Sequence, residues 1–285
     1  MPSGTALVLS GGGAKGAFQF GAIKYIEEMN KYQILKDVWS SISSSKVYKG
    51  KINWFALFRI MFGAKSILSN KPLYEMIRHY VNLKDINKDY NLRIGVVSLV
   101  TGEYRALSPE EFDNDEDFQK AVLASTSIPV IWPPVKEIRI KNEAFRDSVD
   151  GGIRNISPLG DVIEFDPSEV IIINCSSSRI RLKEDTKASA NIFRIAKRAL
   201  TEITLDEIFN TDITEFLRIN RLVQQAERQG CQLLKQDGRP YKSFRTVLIE
   251  PDHDLGDTLD FSRDLIEFRM AEGLRKAKEA FEISH

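Results

Sequence analysis

The sequence predicts an α/β fold, with a mainly parallel central sheet flanked by helices in three layers. Three observations predict it. TALVLS, residues 5–10, is a short buried-strand pattern that runs into GGGAKG and then into the helix-spaced stretch AFQFGAIKYIEEMNKY. SEVIIINCSSS, residues 168–178, is a nearly continuous β-branched run, as an interior parallel strand requires. Strand patterns also alternate with helical ones along the chain, which favours parallel strands joined by helices.

In order, the first element is strand 5–10, followed by a glycine turn and a helix with Ala22, Ile26 and Met29 on one side. ILKDV, 34–38, reads as a second strand cut short at Trp39. NWFALFRIMFG, 53–63, is a short, strongly apolar helix. PLYEMIRHYV, 72–81, is amphipathic, with Pro72 suited to a first turn. LRIGVVSLVTGEYRAL, 92–107, reads as two strands about a Thr-Gly turn, and DEDFQKAVLASTSIP, 115–129, as a helix ended by Pro129. IRIKNEAFRDSVDGG, 138–152, suggests a hairpin and a loop. Residues 188–229 are helical in pattern, KQDGRPYKS (235–243) is a surface turn, FRTVLIEP (244–251) is a late strand and FSRDLIEFRMAEGLRKAKEAF (261–281) a last, charged helix. No linker divides the pattern, so a single domain over 1–285 is expected, helical from about 188 apart from the late strand.

The 285 residues suffice for a full core, and 42% hydrophobic with 28% charged residues is ordinary for a soluble globular protein. Lys+Arg and Asp+Glu are both 40, so net charge gives no bulk reason to expect nucleic acid or an anionic membrane as the main partner. Cys175 and Cys231 lack CxxC spacing, and with no secretion signal they read as reduced thiols in a cytosolic-type compartment. His79, His253 and His285 are scattered, so no metal site is expected. The first apolar run, Ala6 to Leu9, is too short for a signal peptide, and no run reaches spanning length.

Gly11-Gly12-Gly13-Ala14-Lys15-Gly16 fits G-x-G-x-x-G between a strand and a helix. Small residues let backbone N–H groups face an anion, and the helix N-terminus adds its dipole. The anion is a pyrophosphate in dinucleotide binding, or the tetrahedral oxygen of acyl transfer in an oxyanion hole. A tight turn with no ligand is the third reading, and the motif alone leaves all three open. Asp37 stands at a plausible distance for a ribose-binding acid without clearly ending a second strand.

SVDGGIRNISPL holds Asp150-Gly151-Gly152, which alone would read as a turn. Together with SGGGAKGAF it resembles the patatin-like phospholipase family. LASTSIPVIWPPV (123–135) is similar to that family's Ala-Ser-x-x-x-Pro-x-x-Phe-Pro-Pro segment, and IEPDHDLGDTLDFS (249–262) to a late segment of bacterial members. The resemblance implies a lipid acyl hydrolase with a serine–aspartate dyad, acting on phospholipid or other fatty-acyl esters without a cofactor. By that analogy Gly11, Gly12 and Gly13 supply oxyanion-hole amides and Asp150 is the base across the cleft. Lys15, Gly16, Gly151 and Gly152 support the two loops, with a solvated helix residue the plain alternative for Lys15. Arg154 and Asn155 either orient the Asp-Gly-Gly loop or decorate the surface.

Such an enzyme needs G-x-S-x-G after its second strand, because the glycines permit the strained turn that lifts the serine oxygen. The sequence contains no G-x-S-x-G. Ser41-Ile42-Ser43-Ser44-Ser45 could be aligned with it, making Ser43 the nucleophile, but both glycines become serine. In the favoured alignment Val38 is joined directly to Trp39, and the strand end, elbow and elbow helix are missing. A distorted crossover or a break is then expected before Trp39. Two alternatives accompany the hydrolase: a non-catalytic patatin-like protein that binds lipid or a protein partner, and a dinucleotide-binding protein. Trp54, Phe55, Phe58, Ile60, Met61 and Phe62 suit either a membrane-contacting lid, with peripheral attachment, or a buried helix.

Overall fold

The computed structural model describes residues 4–26, 33–50, 65–141, 143–155, 157–176 and 204–283, with eight further positions between 184 and 199. The proposed lid helix, 53–63, lies outside the described residues. The chain is α/β, and it divides into two compact units. One comprises Met1–Lys36, Ile156–Thr258 and Ile266–His285; the other comprises Asp37–Asn155 and Leu259–Leu265.

The first unit holds strands β1 (Thr5–Leu9), β6 (Glu169–Ile173) and β7 (Arg245–Ile249), with β6 in the middle. Both pairings are parallel and in matched register: Leu9 stands beside Ile173, and Ile173 beside Ile249. Helices α1 (Gly16–Ile26), α6 (Leu159–Ile163), α7 (Thr204–Arg228) and α8 (Arg263–Ile283) cover the sheet. The β-branched run of β6 is buried on both faces, which explains why it shows no alternation. Ile171 and Ile173 pack with Phe18 and Ala22 of α1 and Ala277 of α8. Val170 and Ile172 pack with Leu159 of α6 and Ile213 of α7. Within this unit the expected helix–sheet–helix layering is present.

The second unit holds an antiparallel sheet in the order β3 (Tyr104–Leu107), β2 (Ile94–Ser98), β5 (Glu143–Asp150), β4 (Val135–Ile140). Its core joins Val96, Leu107, Ile138 and Phe145 to Phe118 and Ala121 of α5 (Asp115–Ala124). Asn114 caps α5, its Oδ1 accepting the Asp117 N–H at 2.9 Å, and three acids fill the first turn against the helix dipole. Helix α4 (Lys71–Tyr80) has its proline in the first turn, as expected. The strands therefore divide between a parallel sheet of three and an antiparallel sheet of four, where one mainly parallel sheet is expected from sequence.

One element is corrected outright. ILKDV is not a strand but part of helix α2 (Gln33–Ser41), which runs without interruption through Val38 and Trp39. The apolar positions 34, 35, 38 and 39 have helical spacing, and strand alternation is absent. Neither a break nor a distorted crossover separates Val38 from Trp39. One-turn helix α3 (Ser44–Val47) follows. No helix among the described residues is long and apolar enough to cross a membrane.

Candidate functional site

The glycine turn belongs to the first unit. β1 ends at Leu9, a 3-10 turn spans Gly13–Lys15, and α1 starts at Gly16. Gly13 has φ +54°, a left-handed conformation. A Cβ there would lie 2.7 Å from Thr258 Cγ2 and 2.8 Å from Thr258 O, so only glycine fits. A Cβ on Gly12 would lie 3.0 Å from Cys175 Sγ. Hydrogen bonds pin the turn from several sides. Ala14 N–H donates to Thr258 O at 2.9 Å, and Lys15 N–H to Gly12 O at 3.0 Å. Gln19 Nε2 donates to Ser10 O at 2.7 Å and to Ile173 O at 3.2 Å. Cys175 N–H donates to Ser10 Oγ at 3.0 Å. Among the described residues no acceptor stands opposite the amides of Gly11, Gly12 and Gly13, and Gly13 is exposed. The turn can therefore take an anionic oxygen.

Lys15 turns its ammonium toward Asp254, Nζ to Oδ1 3.8 Å, and its carbonyl accepts from the Cys175 thiol at 3.4 Å. It braces the turn against the 249–262 segment. Gly16 N–H closes the 3-10 turn on Ala14 O and Gly13 O. Burial pushes the Cys175 thiol up to about 12, partly offset by the Lys15 and Arg269 charges and the Ser10 hydrogen bond, so it stays protonated beneath the turn.

Asp150 belongs to the second unit, at the end of β5 opposite Val96 of β2. Its N–H donates to Ser127 O at 3.1 Å. Ser127 is itself buried, donating to Leu123 O at 2.8 Å and hydrogen-bonded to Asn70 Nδ2 at 3.1 Å. The carboxylate Oδ1 accepts the Gly152 N–H at 2.8 Å. Burial raises the Asp150 pKa to about 6 against the lowering effect of that hydrogen bond. Gly151 is dictated by crowding, since a Cβ would lie 2.6 Å from the Gly95 carbonyl carbon of β2. Arg154 is exposed, and its Nη1 donates to Gly102 O at 2.5 Å, joining the loop to the β2–β3 hairpin. Asn155 N–H closes the loop on Gly151 O at 2.9 Å.

Ser43 stands between α2 and α3, in extended conformation, with its Oγ 3.1 Å from Ser45 Oγ. It is on no strand-to-helix turn, and the Asp150 carboxylate accepts its hydrogen bond from Gly152 N–H. Asp37, the ribose-binding candidate, lies within α2 and not at a strand end. Among the described residues no group of His, Cys, Asp and Glu could hold a metal ion.

Sequence reasoning missed the residues that hold these loops: Ser127 and Gly95 under Asp150, Thr258 and Cys175 under the glycine turn. It also missed Asn174, one residue beyond the last paired row of β6. Asn174 is 1% exposed; its Oδ1 accepts from Ser176 N–H, while its Nδ2 has no partner among the described residues. Thr258 and Ser127 lie in two segments already singled out, 249–262 and 123–135, which was the available signal.

β1 thus ends in an open glycine turn in the first unit, and a half-buried carboxylate stands on a glycine loop in the second. Residues 26–163 match the family model described as Patatin-like phospholipase. The matched stretch includes Asp150 and the 123–135 segment and starts after the glycine turn. No curated protein matches the chain.

Proposed function

We propose that the protein retains the oxyanion-binding turn and the base of a serine–aspartate lipid acyl hydrolase, without the G-x-S-x-G nucleophile segment of such an enzyme. In the complete enzyme a serine hydroxyl attacks the carbonyl of a phospholipid or related fatty-acyl ester. Asp150 accepts the serine proton as the C–O bond forms. The amides of Gly11, Gly12 and Gly13 hold the oxygen as it gains charge. No cofactor takes part in this scheme. The observation that carries the reading is Asp150: a carboxylate with its pKa near 6 is ionised at neutral pH and basic enough to take a proton.

A non-catalytic lipid- or protein-binding role is the second reading, favoured by the absence of G-x-S-x-G and by the placement of Ser43. One short-chain ester assay on three folded proteins separates the two. The chain as written gives no measurable turnover. Insertion of a family-like segment with G-x-S-x-G between Val38 and Trp39 restores it, and Asp150→Asn in the restored protein abolishes it. A folded but inactive insertion protein would favour the binding role. Hydrolysis by the unmodified chain that is lost on Ser43→Ala would make Ser43 the nucleophile.

A further inference from the structure

Arg269 is the largest fully buried side chain among the described residues, at 0% exposure. It projects from α8, which crosses α1 at backbone contact: Gly21 meets the Met270 carbonyl and Gly273 the Phe18 carbonyl, with no room for a Cβ at either. The crossing fixes the stretch of α8 that carries Arg269 against α1. Arg269 Nε donates to Leu255 O at 2.9 Å and Nη2 to Asp257 O at 2.8 Å. The next residue, Thr258, accepts the Ala14 N–H at 2.9 Å and occupies the space beside Gly13. A continuous path of contacts thus runs from a buried guanidinium, through the strap 255–258, to the glycine turn. The Arg269 charge is also felt at the Cys175 thiol, which lies against Gly12.

Burying a guanidinium is expensive, and a core of this kind could be filled by an apolar side chain. What Arg269 supplies that Met or Leu cannot is a rigid fork of donors, able to hold two strap carbonyls at once. We propose that Arg269 is the positioning residue of the glycine turn: it fixes the 255–258 strap, and the strap holds the Gly11–Gly13 amides in the conformation that receives an oxyanion. The inference rests on the oxyanion reading of the turn given above. It adds that the donor array is set from the far end of the chain, by a side chain that never meets the substrate.

The test is amide hydrogen exchange by NMR on the chain as it stands, with Arg269→Met, Arg269→Lys and, as a control, Ile266→Ala. Ile266 is buried one turn earlier on the same helix and makes no contact with the strap carbonyls in the hydrogen-bond pattern. In Arg269→Met the Ala14 amide exchanges about tenfold faster or more, since two charge-assisted bonds to the strap are gone. The Gly11–Gly13 amide shifts move with it, while Ile171 and Ile172 of β6 change little. Arg269→Lys recovers part of the protection. Ile266→Ala, which empties a buried site on the same helix and keeps the guanidinium bonds to the strap, leaves the ratio of Ala14 to Ile172 exchange unchanged. If Ala14 exchange is unaltered in Arg269→Met, or rises only in step with β6, the proposal is overturned. Should Arg269→Met not fold, Arg269→Lys carries the comparison: unchanged Ala14 protection and glycine shifts with one donor group in place of the fork overturn it equally. Exchange does not depend on turnover, so its outcome is independent of the ester assay.

Discussion

Asp150 holds its proton to a higher pH in the fold than in the unfolded chain, and this fixes the sign of a pH effect. The folded value is about 6 against an ordinary value of 3.8, because burial penalises the carboxylate. Between those values the unfolded chain binds fewer protons than the native one, so stability falls as pH rises through that window. The loss is complete above about pH 7 and amounts to roughly 2–3 kcal/mol. Asp150→Asn keeps an acceptor for the Gly152 N–H and removes the charge. Its thermal midpoint should exceed the parent's at pH 7.5 and meet it at pH 4, in parallel melts at the two pH values. A constant difference across that range would mean the carboxylate is not desolvated. At this scale Gly13 and Gly151 were legible because a left-handed φ or a backbone crowding leaves a glycine in the sequence. Thr258 and Arg269 were not legible, because a carbonyl acceptor can be any residue and a buried arginine looks like an exposed one.

The elements were legible where packing agrees with pattern. β6 is buried on both faces, α4 starts on its proline, and α5 carries its cap and acids in the expected places. The second strand was misread because Ile34 and Val38 have strand propensity, while their spacing, with Leu35 and Trp39, is that of a helix. Without the glycines of an elbow, nothing ends a strand there, and the segment follows its helical period. The β5 loop offers a sharper case. Gly151 approaches Gly95 so closely that a methyl group would have to displace the β2 backbone. Gly151→Ala should cost on the order of 1–3 kcal/mol, the usual range for overpacking, with the upper part favoured because backbone cannot change rotamer. Urea denaturation measures it. A change under 0.5 kcal/mol would show that β2 yields more easily than its pairing with β3 and β5 implies.

At the scale of the whole molecule, composition and net charge gave no bulk reason to expect a nucleic-acid partner and said nothing about its division. The two units interleave along the chain, and the second unit borrows only Leu259–Leu265 from beyond residue 155. An interleaved division of this kind leaves no single linker whose composition could be read. The borrowed segment is nonetheless part of that unit's core. Phe261 is 5% exposed, its ring meets Tyr48 edge-on at 6.4 Å, and the Tyr48 hydroxyl lies 3.4 Å from Leu259 O. Tyr48 in turn closes α3, its N–H on Ser44 O at 2.9 Å, and Lys49 pairs with Ser69 just before α4. Phe261→Ala should therefore destabilise the second unit by about 3–5 kcal/mol, the cost of emptying an aromatic site in a core. Although residue 261 follows the last strand of the first unit, the loss should fall on the other sheet. Amide exchange reads this directly: Val96 and Val97 of β2 lose protection in Phe261→Ala, whereas Ile171 and Ile172 of β6 retain theirs. Equal losses at both pairs would show that the two units open together, and that the division drawn by packing does not extend to their unfolding.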